Sequence, residues 1–225
     1  MMRKRYIHII PSLDYGGAET FLLRLLPNLE NKNIIITFYN TQYDRSRIKG
    51  QKINYITIDP KRTSFRDIYL FIKLLISLNK NDIIFSWLYI SDLAACFLKC
   101  IFFWKRFSII WNVRNSIISK DYSFFSNIAF TLIRRIFMFI PKKIIFNSNN
   151  AMVDHIAKGY SKEKCITIHN GYKKLSKIKK PGTYQSIFKI AYVARYHPQK
   201  NHKFLLESIS SYKKNFNLNF KLFLA

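Results

Sequence analysis

The chain reads as an α/β protein built on a Rossmann-like, doubly wound parallel sheet, with the opening βαβ unit of a second such domain behind it. Short β-branched or aromatic runs alternate with stretches of helical periodicity over residues 1–170. Those runs are continuously apolar, as strands buried on both faces are, which places helices on either side of the sheet. At 225 residues, with 49% hydrophobic, 16% aromatic and 22% charged side chains, the chain has enough apolar matter to bury a core and is no disordered polymer.

Taken in order, strands are predicted at Arg5–Ile10, Ile34–Tyr39, Ile53–Ile58, Asp82–Trp87, Phe107–Val113, Lys143–Asn147 and Lys164–His169. The helix between the first two, Ala18–Leu29, sets Ala18, Phe21, Leu22, Leu25, Leu26 and Leu29 on one face. Further helices are predicted at Phe65–Leu78, Ser91–Trp104, Tyr122–Ile140 and Asn149–Lys158. The rhythm lapses in NGYKKLSKIKKPGT, whose lysines, glycines and proline mark a connection between domains. The expected organisation is therefore a first domain over 1–170, a linker over 171–186 and the start of a second domain over 187–225. In that last part Phe188–Val193 and Asn219–Ala225 read as strands. Asn201–Asn215 reads as an amphipathic helix with Phe204, Leu205 and Ile209 on one side.

Lys and Arg outnumber Asp and Glu by 38 to 12, a formal charge of +26 that implies a polyanionic partner or surface. Compositional bias toward Lys, Asn and Ile is the competing explanation. The cations are mixed with Phe, Trp, Ile and Leu, as in KCIFFWKRF (Lys99–Phe107) and IRRIFMFIPKK (Ile133–Lys143), which favours an anionic membrane surface over a duplex. A nucleic-acid partner is not expected, since neither a recognition helix nor an aromatic β platform is evident. Asp92, Lys99 and Arg134–Arg135 interrupt the longest apolar stretches, so no transmembrane span is predicted, and the N-terminus makes a poor signal peptide. The expected location is the cytoplasm, peripheral at the inner face of the cell membrane. Cys96, Cys100 and Cys165 lack metal-ligand spacing and read as buried thiols; no metal site is expected.

Two loops carry candidate chemistry. PSLDYGGAE follows the first strand, with Gly16 and Gly17 at the junction with the helix and Glu19 in its first turn. Paired glycines admit a close ligand, and the helix N-terminus favours an anionic or hydroxyl-rich group. VARYHPQKN (Val193–Asn201) places Arg195 and Lys200 between a strand's carboxyl end and a helix, where fixed cations suit a diphosphate. WNVRNS (Trp111–Ser116) likewise follows a strand, and Arg114 could hold an acceptor phosphate or a structural ion pair. His8 reads as a core or edge histidine and His169–Asn170 as a turn; His197 and His202 flank the basic loop.

Together PSLDYGGAETFLLRLL, IIFNSNNAMVDHI, ITIHNGY and VARYHPQKN resemble bacterial glycosyltransferases of the two-Rossmann-domain GT-B class, family-4 type, over nearly the whole chain. The resemblance implies transfer of a sugar from a nucleotide-sugar donor to a polysaccharide or lipid-linked acceptor, with retention at the anomeric carbon and with neither metal nor cofactor. It implies that Arg195 and Lys200 clasp the donor diphosphate and that Gly16 and Gly17 line the cleft near sugar and phosphates. Glu19 and Arg114 remain acceptor-side candidates, and no catalytic residue is assigned. Many relatives carry a His near WNVRNS where this chain has Asn112, Arg114 and Asn115. The family's acidic E-x7-E motif is not reached before Ala225, so the expectation is a chain truncated early in its second domain. A catalytically inactive remnant, or a partner-binding domain of the same fold, is the alternative.

Overall fold

The computed structural model describes residues 4–14, 16–39, 48, 53–59, 61, 63–114, 124–171, 187–194, 196, 198–215 and 220–224. The chain divides into two compact units, Met1–Gly171 and Tyr172–Ala225.

In the first unit, seven strands form a wholly parallel sheet: β1 (Arg5–Ile10), β2 (Lys32–Thr37), β3 (Ile53–Thr57), β4 (Ile83–Trp87), β5 (Ser108–Val113), β6 (Lys143–Phe146) and β7 (Cys165–Thr167). Their spatial order is β3-β2-β1-β4-β5-β6-β7. β1 is central and its aliphatic run explains why: Ile7 faces Ile34 on one side and Ile84 on the other in register. Ile7, Ile9 and Ile10 are at most 1% exposed, and each such burial contributes roughly 1.5–3 kcal/mol.

The two faces are read from alternation along β1. Ile7 and Ile9 join a cluster with Leu74 of α2 (Phe65–Ser77), Cys96 of α3 (Tyr89–Ile101), Phe130 of α4 (Phe124–Leu132) and Ala151 of α5 (Asn149–Ala157). Ile10 points the other way, into a cluster with Ala18 and Leu22 of α1 (Gly17–Leu25). Helices thus cover both faces, as the continuous apolar strands predict.

Helix ends follow local chemistry. Ser64 caps α2 by accepting from the Asp67 amide at 3.1 Å, and Ser148 caps α5 through the Ala151 amide at 3.2 Å. Pro27 leaves α1 to finish in a 3-10 turn, Leu26–Asn28, short of the expected Leu29. α3 starts at Tyr89, two residues before the predicted Ser91, and ends at Ile101; the predicted remainder to Trp104 falls in a 3-10 turn, Phe103–Lys105, which Arg106 closes at φ 58. The single helix predicted over Tyr122–Ile140 is an α-helix that widens into a π segment, Ile133–Phe137. Ile133 and Phe137, at the two ends of that segment, are both buried. One buried ion pair ties the strand ends: Arg5 donates to Asp82 at 2.8 and 2.6 Å, and the same carboxylate accepts from the Asn79 amide.

The second unit pairs β8 (Phe188–Tyr192) with β9 (Phe220–Leu224) in parallel, with α6 (His202–Asn215) between them in sequence. α6 corrects one expectation. His202, Leu205 and Ile209 are its half-buried positions, while Phe204, predicted on the same side, is 64% exposed because it falls one residue off that stripe.

Candidate functional site

In this strand order the winding reverses between β1 and β4, and sheets of this kind take ligands beyond the carboxyl ends of the strands at such a reversal. β4 delivers Trp87 there, β5 delivers Arg114 one residue past its end, α1 delivers Phe21 from its second turn, and the stretch after β7 delivers Asn170.

Arg114 is the centre of this arrangement. Its guanidinium lies 4.0 Å from the ring centre of Phe21 and 5.2 Å from that of Trp87. One terminal nitrogen donates to Asn170 Oδ1 at 2.5 Å, and Nε is buried with no hydrogen-bond partner among the described residues. Partial burial lowers its pKa from 12.5 to about 10, which still leaves it charged at neutral pH. The result is a fixed, partly desolvated cation held by aromatic faces rather than by a carboxylate. Such a group retains donors for an incoming anion.

The platform has its own support. Trp87 Nε1 donates to His8 Nδ1 at 3.4 Å, and His8 Nε2 lies 3.4 Å from Asn33 Oδ1, so the proton sits on Nε2. His8 is 1% exposed and stacks on Phe85 at 5.4 Å. Burial pulls its pKa to about 4, against a weak opposing effect of Asn33. It is a neutral core histidine that fixes Trp87, in line with the core alternative drawn from the sequence. Immediately after Trp87, Leu88 holds φ 70 and ψ 157, a region otherwise almost confined to glycine.

Gly16 and Gly17 open α1 as N-cap and first helical residue. Glu19 folds back over Gly16: a Cβ built there would lie 2.1 Å from Glu19 Oε2 and 2.8 Å from its Cδ. Gly17 is exposed, and a Cβ on it would meet nothing within 4 Å. The helix terminus therefore offers a bare backbone at Gly17 beside a carboxylate at Gly16. That pairing suits sugar hydroxyls, which donate to Glu19 and accept from backbone N–H, better than a second anion at the same spot.

The basic loop belongs to the second unit. Lys200 ends a 3-10 turn, Pro198–Lys200, with its side chain exposed and its carbonyl accepting from the Tyr192 hydroxyl. Asn201 turns left-handed at φ 49 and accepts from the Phe204 amide at 3.3 Å, opening α6. His202 packs against Tyr192 and Tyr196. Arg195 and His197 lie outside the described residues, as does Asn115 of WNVRNS.

Sequence reasoning missed three members of the arrangement. Phe21 looked like core, Trp87 like a strand end, and Asn170 like a turn residue. Only the alternation of α1 and the polar residue after β7 hinted at them. His169 is exposed, its Nδ1 lying 3.2 Å from the Asn147 carbonyl. Among the thiols, Cys96 and Cys165 are buried and Cys100, expected to be buried, is exposed because it ends α3 on the outer side. Among the described residues no cluster of three His, Cys, Asp or Glu could hold a metal ion.

No family model matches the sequence, and no curated protein matches it. Solved structures share the fold. HepE of Anabaena, in complex with UDP and glucose, is 16% identical with a TM-score of 0.69, covering 97% of this chain and 60% of its own. TarM is 10% identical with a TM-score of 0.61, covering 100% and 72%. A mutant of S. aureus TarM, in complex with Fondaparinux, alpha-GlcNAc-glycerol and UDP, is 11% identical with a TM-score of 0.60 over 99% and 72%. The chain thus spans about 60% of the length of HepE. The architecture is the Rossmann-like α/β fold that these structures share.

Proposed function

We propose that the chain belongs to a GT-B, family-4-type glycosyltransferase that moves a sugar from a nucleotide-sugar donor to a polysaccharide or lipid-linked acceptor. The observation that carries this reading is Arg114, a stacked cation with a spare buried donor at the reversal point of a sheet that HepE, solved with UDP-glucose, also carries. In this reading Arg114 holds an acceptor phosphate, Glu19 accepts from an acceptor hydroxyl, and Gly17 leaves room for sugar or phosphate beside the helix terminus. Lys200, with Arg195, neutralises the diphosphate that departs as the glycosidic bond breaks, since charge accumulates there in the transition state. Transfer proceeds with retention and without metal or cofactor, at the inner face of the cell membrane.

The test is transfer from radiolabelled UDP-, GDP- and dTDP-sugars to lipid and polysaccharide fractions, with and without EDTA, and the anomeric configuration read by NMR. Transfer that survives EDTA and collapses in Arg114→Met and Lys200→Ala supports the proposal. Nucleotide binding without turnover points to the non-catalytic domain instead. A folded chain that binds no nucleoside diphosphate sinks it.

A further inference from the structure

The outer layer of helices on the α2–α3–α4 side has an unusual surface. On α2, Phe65, Ile68, Tyr69, Ile72 and Ile76 follow the i, i+3, i+4, i+7, i+11 spacing of one helical face, yet all point outward and are 44–93% exposed. Single exposed apolar residues are ordinary; a whole stripe is not. The stripe continues onto α3 and the turn after it, where Phe97, Ile101, Phe103 and Trp104 are 49–70% exposed. Lys105 joins the two, its ammonium donating to the Ile76 carbonyl at 2.5 Å. The layer extends through α4, whose π segment packs Phe137 edge-on against Phe97 at 5.5 Å and leaves Ile136 and Phe139 outside.

Charge decides what fits this surface. Among the described residues from 63 to 143, every carboxylate is buried: Asp67 at 2%, Asp82 and Asp92 at 0% exposure. The cations are outside, with Arg66, Lys73, Lys80, Arg106, Arg135 and Lys142 all exposed. Two open depressions of about 310 and 300 Å³ flank α2, floored by Ile34, Ile56 and Leu70 and rimmed by Arg66 on one side and Lys32 and Lys73 on the other. A protein partner or second copy would need an acidic, apolar counterpart, and this chain's own exposed surface is basic. An anionic bilayer supplies both halves at once, headgroups for the cations and acyl chains for the aromatic stripe.

We infer that the α2–α3–α4 layer is the surface by which this chain lies on an anionic lipid bilayer, α2 in the plane of the headgroups. This deepens the membrane-face part of the proposed function. Vesicle binding needs no nucleotide sugar, so failure of one reading leaves the other standing.

The chain carries its own reporter. Of its three tryptophans, Trp87 and Trp111 are at most 1% exposed while Trp104, in the proposed surface, is 58% exposed. The intact chain is mixed with phosphatidylcholine vesicles containing phosphatidylglycerol, with or without brominated acyl chains, and with pure phosphatidylcholine. Brominated lipid is expected to quench fluorescence only in the phosphatidylglycerol vesicles, and Trp104→Phe is expected to abolish the quenching. Each basic residue near an anionic surface raises partitioning about fivefold, so Arg66→Glu with Lys73→Glu should lower it at least tenfold by sedimentation. The same charge change at Lys189 and Lys213 of the second unit should lower it less than about threefold. Quenching equal in neutral vesicles, quenching that survives Trp104→Phe, or equal losses in both double variants overturns the assignment. Dimerisation through this layer without lipid, lost in Phe65→Ser with Ile76→Ser, also overturns it in favour of a second copy.

Discussion

Replacing Arg114 by Met separates what holds the fold from what serves a ligand. Two aromatic faces give a buried cation up to about 2 kcal/mol, and the hydrogen bond to Asn170 adds about 1.5–3 kcal/mol. Desolvation opposes both by several kcal/mol, in the direction shown by the lowered pKa. These nearly cancel. Methionine keeps the apolar stem and packs well against Phe21 and Trp87, so the variant should unfold in urea within about 1 kcal/mol of the parent. Anion binding should behave otherwise, because a charge-assisted bond to phosphate is lost outright. At about 1.5–3 kcal/mol, affinity for inorganic phosphate or pyrophosphate should fall roughly tenfold to a hundredfold by titration calorimetry. A variant destabilised by more than about 3 kcal/mol would show that Arg114 is structural. Unchanged anion affinity would show that it faces no ligand, and either result refutes the reasoning.

Gly17→Ala should leave the melting temperature essentially unchanged, since its Cβ meets nothing, but should weaken nucleotide-sugar or acceptor binding if a ligand approaches that backbone; equal effects of Gly17→Ala and an exposed control at Lys158 would dismiss the site. Gly16→Ala must push the Glu19 carboxylate aside and should therefore reproduce the transfer defect of Glu19→Gln. His8, with a folded pKa of about 4 against 6.5 unfolded, adds stability present above 6.5 and lost as pH falls toward 4, about 3 kcal/mol in all, with a same-signed part from His155. Asp92, whose burial raises its pKa well above 3.8, adds stability present below 3.8 and lost as pH rises through its folded pKa. The slopes oppose each other, so His8→Phe should expose a decline with rising pH and Asp92→Asn a rise, read as urea unfolding free energy from pH 4 to 6.5. Arg5→Met strands the buried Asp82 carboxylate and should cost about 3–5 kcal/mol, whereas replacing both with Met and Leu should recover most of it.

The sheet was legible because most strands carry an apolar run: IHII in β1, NIII in β2, and IIF in both β4 and β6 leave little choice but burial on both faces. Helix bodies were legible for the same reason, and their ends less so. Pro27 announced its break, but nothing in IRRIF signals a π turn. Glycines and arginine stood out as candidates through local chemistry. Phe21, Trp87 and Asn170 did not, because each reaches Arg114 from a different element and periodicity records only which face a residue takes. The outward stripe of α2 was invisible as well. Its i, i+4 pattern is the one that ordinarily marks a core face, and which face turns inward is settled by Leu74 and Leu78 against β2 and β3.

The backbone at Leu88 couples the site to the packing of α1. Holding that residue at φ 70 and ψ 157 stores about 1–3 kcal/mol, and its half-buried side chain packs against the cluster that holds Leu22, Leu26 and Ile10. Loosen α1 and the strain has somewhere to go. The peptide relaxes toward an extended form, Trp87 rotates off His8, and the Arg114 guanidinium loses one of the two aromatic faces that hold it. The stacking of Arg114 thus depends on a helix, α1, that also carries Phe21 and begins at Gly17.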